Sequence, residues 1–112
     1  MEGKKNDTGK LRFDLIPPDM LDSLAYVYTI GAAKYTDYNW LKGMAWSRIL
    51  GALKRHLSAF EQGDIFDDVD GQEHLASVIW CATTLMVYEK YAIGEDDRFF
   101  KIVKKTKEGG IQ

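Results

Sequence analysis

The strongest constraint on the fold is a pair of long apolar patterns, each at helical spacing, separated by a polar segment. In the first pattern apolar side chains recur every three or four residues: Trp46, Ile49, Leu50, Leu53, Leu57 and Phe60. This spacing predicts a helix from residue 45 or 46 to about residue 62, with Gly63 as its C-terminal stop. The second pattern predicts a helix over residues 71–92, one side of which carries Leu75, Val78, Ile79, Ala82, Leu85, Met86 and Glu89. Its opposite side is partly apolar too, so we expect this helix to be buried or to face a second subunit.

Two shorter patterns flank this pair. Pro17-Pro18 follows an extended arm, and a first helix is predicted from Pro18 or Asp19 to between Gly31 and Tyr35. A short amphipathic helix is predicted within residues 96–107, and no segment predicts paired strands. We therefore predict one all-α domain over residues 1–112, a small bundle of three main helices plus a short C-terminal helix. Its parts are the extended N-terminal arm (1–16), the core (17–94) and the C-terminal helix and tail (95–112).

The helix number and the composition together predict the partners and the compartment of the protein. Three helices make a thin core, so we expect a homo-oligomer, a dimer or larger. The net charge is −2, which argues against a partner made of duplex nucleic acid. A single cysteine excludes an internal disulfide framework and indicates a reducing compartment. No stretch reaches the ~18–20 apolar residues of a membrane span, and no secretory signal is visible, so we expect a cytoplasmic protein without a membrane partner.

Six acids and no base lie between residues 61 and 73. Carboxylate oxygens are the ligands that Mg²⁺ and Mn²⁺ prefer, and such ions keep coordination positions for substrate phosphates. The candidate metal ligands are Asp64, Asp67, Asp70 and Glu73. The alternative is a solvated acidic loop in which Asp70 and Glu73 only complement the start of the next helix. His74, in the first turn of that helix, is either a ligand or an ordinary surface or capping histidine.

Bases and aromatic residues suggest a nucleotide site beside these acids. Arg48 and Arg55 project from one face of the predicted second helix, with Lys54 and His56 flanking them. Paired guanidiniums suit phosphate oxygens. Aromatic rings that can stack on a base, together with one amide, lie around the loop between the first two helices: Tyr35, Asn39, Trp40 and Trp46. The alternative for Trp46 is a place in the core. The sequence contains no GxxxxGK[ST], GxGxxG or HExxH motif.

Five motifs in order resemble a known family: DTGKLRFDLIPP (7–18), GAAKYTDYNW (31–40), GMAWSR (43–48), LKRHLSAF (53–60) and GDIFDDVDGQEHLA (63–76). It is the phage and prophage family described as the N-terminal domain of dATP/dGTP diphosphohydrolases. The resemblance implies an α-helical enzyme, functionally related to MazG-like proteins. It would hydrolyse purine deoxynucleoside triphosphates to monophosphate and pyrophosphate with Mg²⁺ or Mn²⁺, in the host cytoplasm if the chain is phage-encoded.

The matching positions assign roles in the same way. The resemblance implies catalytic roles for Asp67, His74 and His56, with Asp64, Asp67 and His74 at the metal end and Asp70 and Glu73 as nearby alternatives. It implies phosphate binding by Lys10, Arg12, Lys34, Arg48 and Arg55, to which we add Lys54, and base or sugar binding by Tyr35, Asn39 and Trp40. One departure concerns the ExxE and ExxD motifs that MazG-like enzymes carry on successive helices, a dozen or more residues apart. The nearest forms here are Glu61-x-x-Asp64 and Asp70-x-x-Glu73, with five residues between them.

Two other functions are compatible with the same residues. A chain with these arginines, lysines and aromatic rings could bind a nucleotide signal of host defence without hydrolysing it, and such a site would need no metal. The chain could also be an interaction module that works together with a separate catalytic domain.

Overall fold

In the computed structural model of the chain, which describes residues 3–6 and 8–109, four α-helices follow an exposed N-terminal segment. They are α1 (Pro18–Lys34), α2 (Trp46–Glu61), α3 (His74–Tyr91) and α4 (Phe99–Lys107), with 3-10 turns at Phe13–Leu15 and Asn39–Lys42. Over the described ranges there is no β-strand, only two isolated bridges. The prediction of a small all-α bundle is confirmed. Within the same ranges, no helix has the length and apolar character that crossing a bilayer requires.

α3 is the central helix, packing against both α1 and α2, whereas α1 and α2 make few direct contacts. It turns Ser77, Cys81, Thr84 and Tyr88, spaced by three or four residues, toward the core. From α2, Trp46 and Ile49 meet this side. The side with the greater apolar content, predicted from sequence, instead lies largely at the surface, since Leu75, Ala82 and Met86 are exposed. The buried side combines the small or polar Ser77, Cys81 and Thr84 with the large ring of Tyr88.

The connection between α3 and α4 holds the start of α2. The backbone N–H of Trp46 donates to the carbonyl of Glu95 (2.9 Å), and the Trp46 indole N–H donates to the carbonyl of Ile93 (2.9 Å). Asp97 accepts from the Ser47 N–H (2.8 Å) and the Ser47 hydroxyl (2.6 Å). The Ser47 hydroxyl bond is the main reason that the pKa of Asp97 is lowered. Asp97 therefore caps α2 from a distant part of the chain, satisfying a backbone donor that the helix itself cannot pair.

The acidic segment folds into a closed turn, here called the acidic loop (residues 62–73). The N–H of Asp67 donates to the carbonyl of Gln72 (2.7 Å), that of Gly71 to the carbonyl of Asp67 (3.0 Å) and that of His74 to the carbonyl of Ile65 (2.9 Å). Gly71 has φ +70°, which few other residues adopt without strain. Because residues 71–73 close this turn, α3 begins at His74, three residues later than the apolar pattern predicts.

Candidate functional site

An open cleft of about 900 Å³ lies between α1, the acidic loop and the facing surfaces of α2 and α3. The C-terminal half of α1 and the turn after it form one wall, and the acidic loop contributes Asp67 and Asp70. His56 and Ala52 enter from α2, while Ser77, Trp80 and Cys81 come from α3. The volume is within the range of clefts that bind cofactors and nucleotides, roughly 300–1,000 Å³.

Aromatic rings form one side of this cleft. The Tyr28 ring lies 6.0 Å from Trp40 and 6.2 Å from Trp80, centroid to centroid, and Trp40 stacks on Tyr88 at 6.4 Å. The Tyr88 hydroxyl donates to the carbonyl of Trp40, which ties the 3-10 turn Asn39–Lys42 to α3. Burial raises the pKa of Tyr28. The wall is thus held rigid by its own packing and can offer ring faces to a planar ligand.

α1 also holds the acidic loop. The Ser23 hydroxyl donates to Glu73 Oε1 (2.6 Å), and the Tyr26 hydroxyl donates to the carbonyl of Asp70 (3.4 Å). From α3, the Ser77 hydroxyl donates to Gln72 Oε1 (2.8 Å). The loop is therefore fixed on two sides, and the position of Asp67 relative to α2 and α3 is set by hydrogen bonds.

His56, Asp67 and His74 converge at one end of the cleft. The Nδ1 atoms of the two histidines are 2.9 Å apart, and their ring centroids are 5.2 Å apart. One potential ligand atom from each of the three residues lies within 4.8 Å of the others. Burial, followed by the nearby His74, lowers the pKa of His56. At this separation one imidazole Nδ1 donates a hydrogen bond to the other, and an ion bound by both nitrogens would replace the shared proton.

The four acids predicted as metal ligands do not form one set. In the described part of the chain, the cluster of His56, Asp67 and His74 is the one group of three potential ligands that lie together. Asp70 lines the cleft but accepts from the Gln72 side-chain amide (2.9 Å), and Glu73 is held by Ser23. Asp64 is exposed and outside the cluster. Asp67 thus meets two histidines, not other carboxylates.

The predicted phosphate-binding residues are spread over four places. Lys34 lines the cleft. Arg48 and Arg55 line a neighbouring hollow of about 480 Å³, which shares Met44, Ala52 and Trp80 with the cleft. Lys54 is exposed and lines neither. Lys10 and Arg12 lie on the exposed arm, where Arg12 pairs with Asp14 (2.7 Å) and the pKa of Asp14 is lowered by that bond.

The predicted base-binding residues divide between the cleft and the core. Tyr35, Asn39 and Trp40 line the cleft, and Tyr35 is 61% exposed, with the Lys34 ammonium over its ring at 5.5 Å. Trp46 is buried in the core instead, because its indole N–H is paired with Ile93 and the Arg98 guanidinium covers its ring at 5.0 Å.

Three cleft aromatics are missing from the predicted site residues: Tyr28, Tyr38 and Trp80. Apolar spacing assigns Tyr28 and Trp80 to helix faces, where they suit a core. Tyr28 lies in α1, seven residues or about two helical turns before Tyr35, which directly follows this helix. That spacing is the available signal for Tyr28. Trp80 carries no comparable one, since its direction depends on how α1 and α3 pack.

Comparisons with known proteins place these features in a family context. The family described as "dATP/dGTP diphosphohydrolase, N-terminal" matches residues 1–98. A "dATP/dGTP diphosphohydrolase" of Salmonella phage PMBT28 is 40% identical over 76 residues, which is 68% of this chain and 26% of that protein. The chain therefore spans about a quarter of the length of this relative. No solved structure matches the chain.

Proposed function

The chain belongs to the dATP/dGTP diphosphohydrolase N-terminal family, and from this premise we propose that its cleft binds and hydrolyses purine deoxynucleoside triphosphates. The observation that carries the proposal is the meeting, in one cleft, of a wall of aromatic rings and the cluster of His56, Asp67 and His74. The first suits a base, and the second suits hydrolytic chemistry. The name of the phage relative supports the same substrate class.

The proposed arrangement puts the base against the aromatic wall and the phosphates toward the acidic loop. Tyr35 and Trp40 offer ring faces, and Asn39 offers an amide that can read the edge of a base. Lys34 supplies positive charge within the cleft, and the guanidiniums of Arg48 and Arg55 lie in the adjoining hollow. A triphosphate extending past Ala52 would approach both arginines, whose planar donors fit phosphate oxygens.

In the proposed reaction water attacks the α-phosphorus, forming a new P–O bond. The bond between that phosphorus and the oxygen bridging to the β-phosphate breaks, and pyrophosphate leaves with the bridging oxygen. The products are a nucleoside monophosphate, pyrophosphate and one proton, which passes through the open cleft to solvent. A divalent metal, when bound, would neutralise phosphate charge and make water a better nucleophile. Imidazole nitrogen and carboxylate oxygen are suitable donors for such an ion, so His56, Asp67 and His74 would hold it.

The first prediction concerns Asp67. We expect Asp67→Asn to lower turnover of dATP or dGTP by at least about 10–100-fold, because a charged oxygen is lost from the cluster. The asparagine keeps an oxygen that can accept the Val69 N–H now bonded to Asp67 Oδ1 (2.8 Å), so the loop keeps its shape. Products are separated by ion-exchange chromatography after incubation with Mg²⁺, Mn²⁺ or Co²⁺. In ¹⁸O-labelled water the label should enter the monophosphate.

Asp68→Asn is the matched control, since Asp68 is the adjacent acid, exposed and outside the cleft. Equal turnover by Asp67→Asn and the unmodified chain would remove Asp67 from the mechanism. Label in pyrophosphate would place attack on the β-phosphorus.

A second candidate function is nucleotide binding without hydrolysis. It is favoured by the aromatic wall with Lys34 beside it, because ring faces and one ammonium group can hold a nucleotide without a metal. Calorimetry with dATP in the presence of EDTA separates the two functions. Tight binding, with the nucleotide recovered intact even when metal is added, would favour this second candidate.

A further inference from the structure

The cluster of His56, Asp67 and His74 joins three separate parts of the fold. His56 lies near the end of α2, Asp67 lies in the acidic loop, and His74 is the first residue of α3. These are the chain's two histidines, 18 residues apart in sequence, yet their Nδ1 atoms are 2.9 Å apart. Convergence from three elements means that the spacing is set by the fold and not by one flexible segment.

The spacing suits coordination to one ion. Ligands at neighbouring positions on a metal with bonds of about 2.1 Å are roughly 3.0–3.4 Å apart. The two histidine nitrogens are already close to that separation, and the cluster's largest ligand-to-ligand separation is within 4.8 Å. His74 is 7% exposed, whereas His56 and Asp67 also line the cleft. An ion held here would thus be enclosed on the His74 side and open toward the cleft.

The donor set determines which ions fit. Mg²⁺ prefers oxygen ligands and retains its water, so a site with two imidazoles is poor for it. Zn²⁺, Co²⁺ and Fe²⁺ accept imidazole and carboxylate together. The surrounding acids do not supply an oxygen cage, since Asp64 is outside the cluster and Glu73 is bonded to Ser23.

We infer that His56, Asp67 and His74 form a three-ligand site for a divalent first-row transition metal, with its remaining coordination positions open to the cleft. This inference names the class of metal for the proposed function. The role of the open coordination positions, which is to meet the substrate, rests on that proposed function. Binding of the metal itself needs no nucleotide and can be measured without one.

The test uses Co²⁺ as the probe, added to the full chain after removal of metals by a chelator. We expect one Co²⁺ per chain, visible d–d absorption and displacement by Zn²⁺, but no displacement by Mg²⁺ in about 100-fold excess. Cys81 is the single cysteine and is buried outside the cluster, so no sulfur-to-cobalt charge-transfer band is expected. Imidazole NMR signals of both histidines should be broadened by the bound Co²⁺.

His56→Gln and Asp67→Asn should each weaken Co²⁺ binding by at least about 10–100-fold, the loss that removing even a supporting partner of a metal ligand causes. Asp68→Asn should bind Co²⁺ as the unmodified chain does, and circular dichroism checks that all variants are helical.

Unchanged Co²⁺ affinity in either cluster variant, or displacement by Mg²⁺, would overturn the inference. Stoichiometric Co²⁺ binding without turnover would leave this site standing and remove the hydrolase proposal. Unchanged Mg²⁺-dependent turnover in His56→Gln would leave the hydrolase proposal standing and remove this site from the reaction.

Discussion

Among single residues, Cys81 connects the core to the cleft. It belongs to the buried cluster around Trp46 and Tyr88, and its side also borders the cleft. Burial raises the pKa of the thiol to about 11. At pH 8 the thiolate would then be about one part in a thousand, and the thiolate is the reactive form.

We predict that Cys81 resists thiol reagents while the chain is folded. Ellman's reagent at pH 8 should detect essentially no thiol in native protein and one thiol per chain in guanidinium chloride, because the residue is 2% exposed. The slow native reaction would report transient opening of the α2–α3 packing. Fast stoichiometric labelling of the native chain would show that the floor of the cleft is accessible.

The fold requires glycine at position 94. It has φ +75°, and a Cβ atom at this position would collide with the carbonyl oxygen of Met44. We predict that Gly94→Ala lowers the free energy of unfolding by about 2–4 kcal/mol, since backbone strain and a steric clash add together.

Gly63→Ala is the control for this prediction. Gly63 has φ +104°, but a Cβ atom at this position would meet nothing within 4 Å, so only the cost of the backbone conformation, about 1 kcal/mol, should appear. Urea denaturation followed by circular dichroism measures both values. Equal losses in the two variants would mean that the contact between Gly94 and Met44 relaxes without cost.

At the scale of helices and loops, the sequence predicts where a helix lies better than it predicts which side of that helix is buried. The starts of α1 at Pro18 and of α2 at Trp46 are within the predicted pairs, Pro18 or Asp19 and residue 45 or 46, because proline and a sharp change of apolar pattern mark them locally. The buried side of α3 could not be predicted in this way. Ser77 and Thr84 lie in the core while Met86 is exposed, and this choice depends on close packing against two other helices.

In the candidate site, likewise, the residues can be predicted from the sequence but their arrangement in space cannot. Asp67, His56 and His74 can be named from residue type and resemblance, but their convergence needs the closed turn of the acidic loop, made by backbone hydrogen bonds that leave no periodic signal. Trp46 is predicted to bind a base for the same reason that it fits a core: a large ring is useful in both places. Which one it occupies is decided by Ile93 and Arg98, about fifty residues away.

The described part of the molecule leaves many large apolar side chains uncovered: they lie on the arm, in the acidic loop and on each of the four α-helices. On α3, the exposed or half-buried stripe Leu75, Ile79, Ala82 and Met86 repeats at helical spacing on the side opposite the core. Met86 alone is 71% exposed. A stripe that continues along one straight helix can pair with its own copy about a two-fold axis, so a second chain of the same sequence is the occupant that we expect.

We therefore predict a homodimer that Met86→Arg converts to monomer. A buried arginine near its own copy would place two positive charges in an apolar contact, which costs more than such a contact contributes. Light scattering coupled to size-exclusion chromatography should give twice the chain mass of 12.8 kDa for the unmodified protein and 12.8 kDa for the variant. Gln62→Arg, at an exposed position after α2, should leave the dimer intact. A monomer in the unmodified protein, or a dimer unaffected by Met86→Arg, would exclude this side of α3 as the contact.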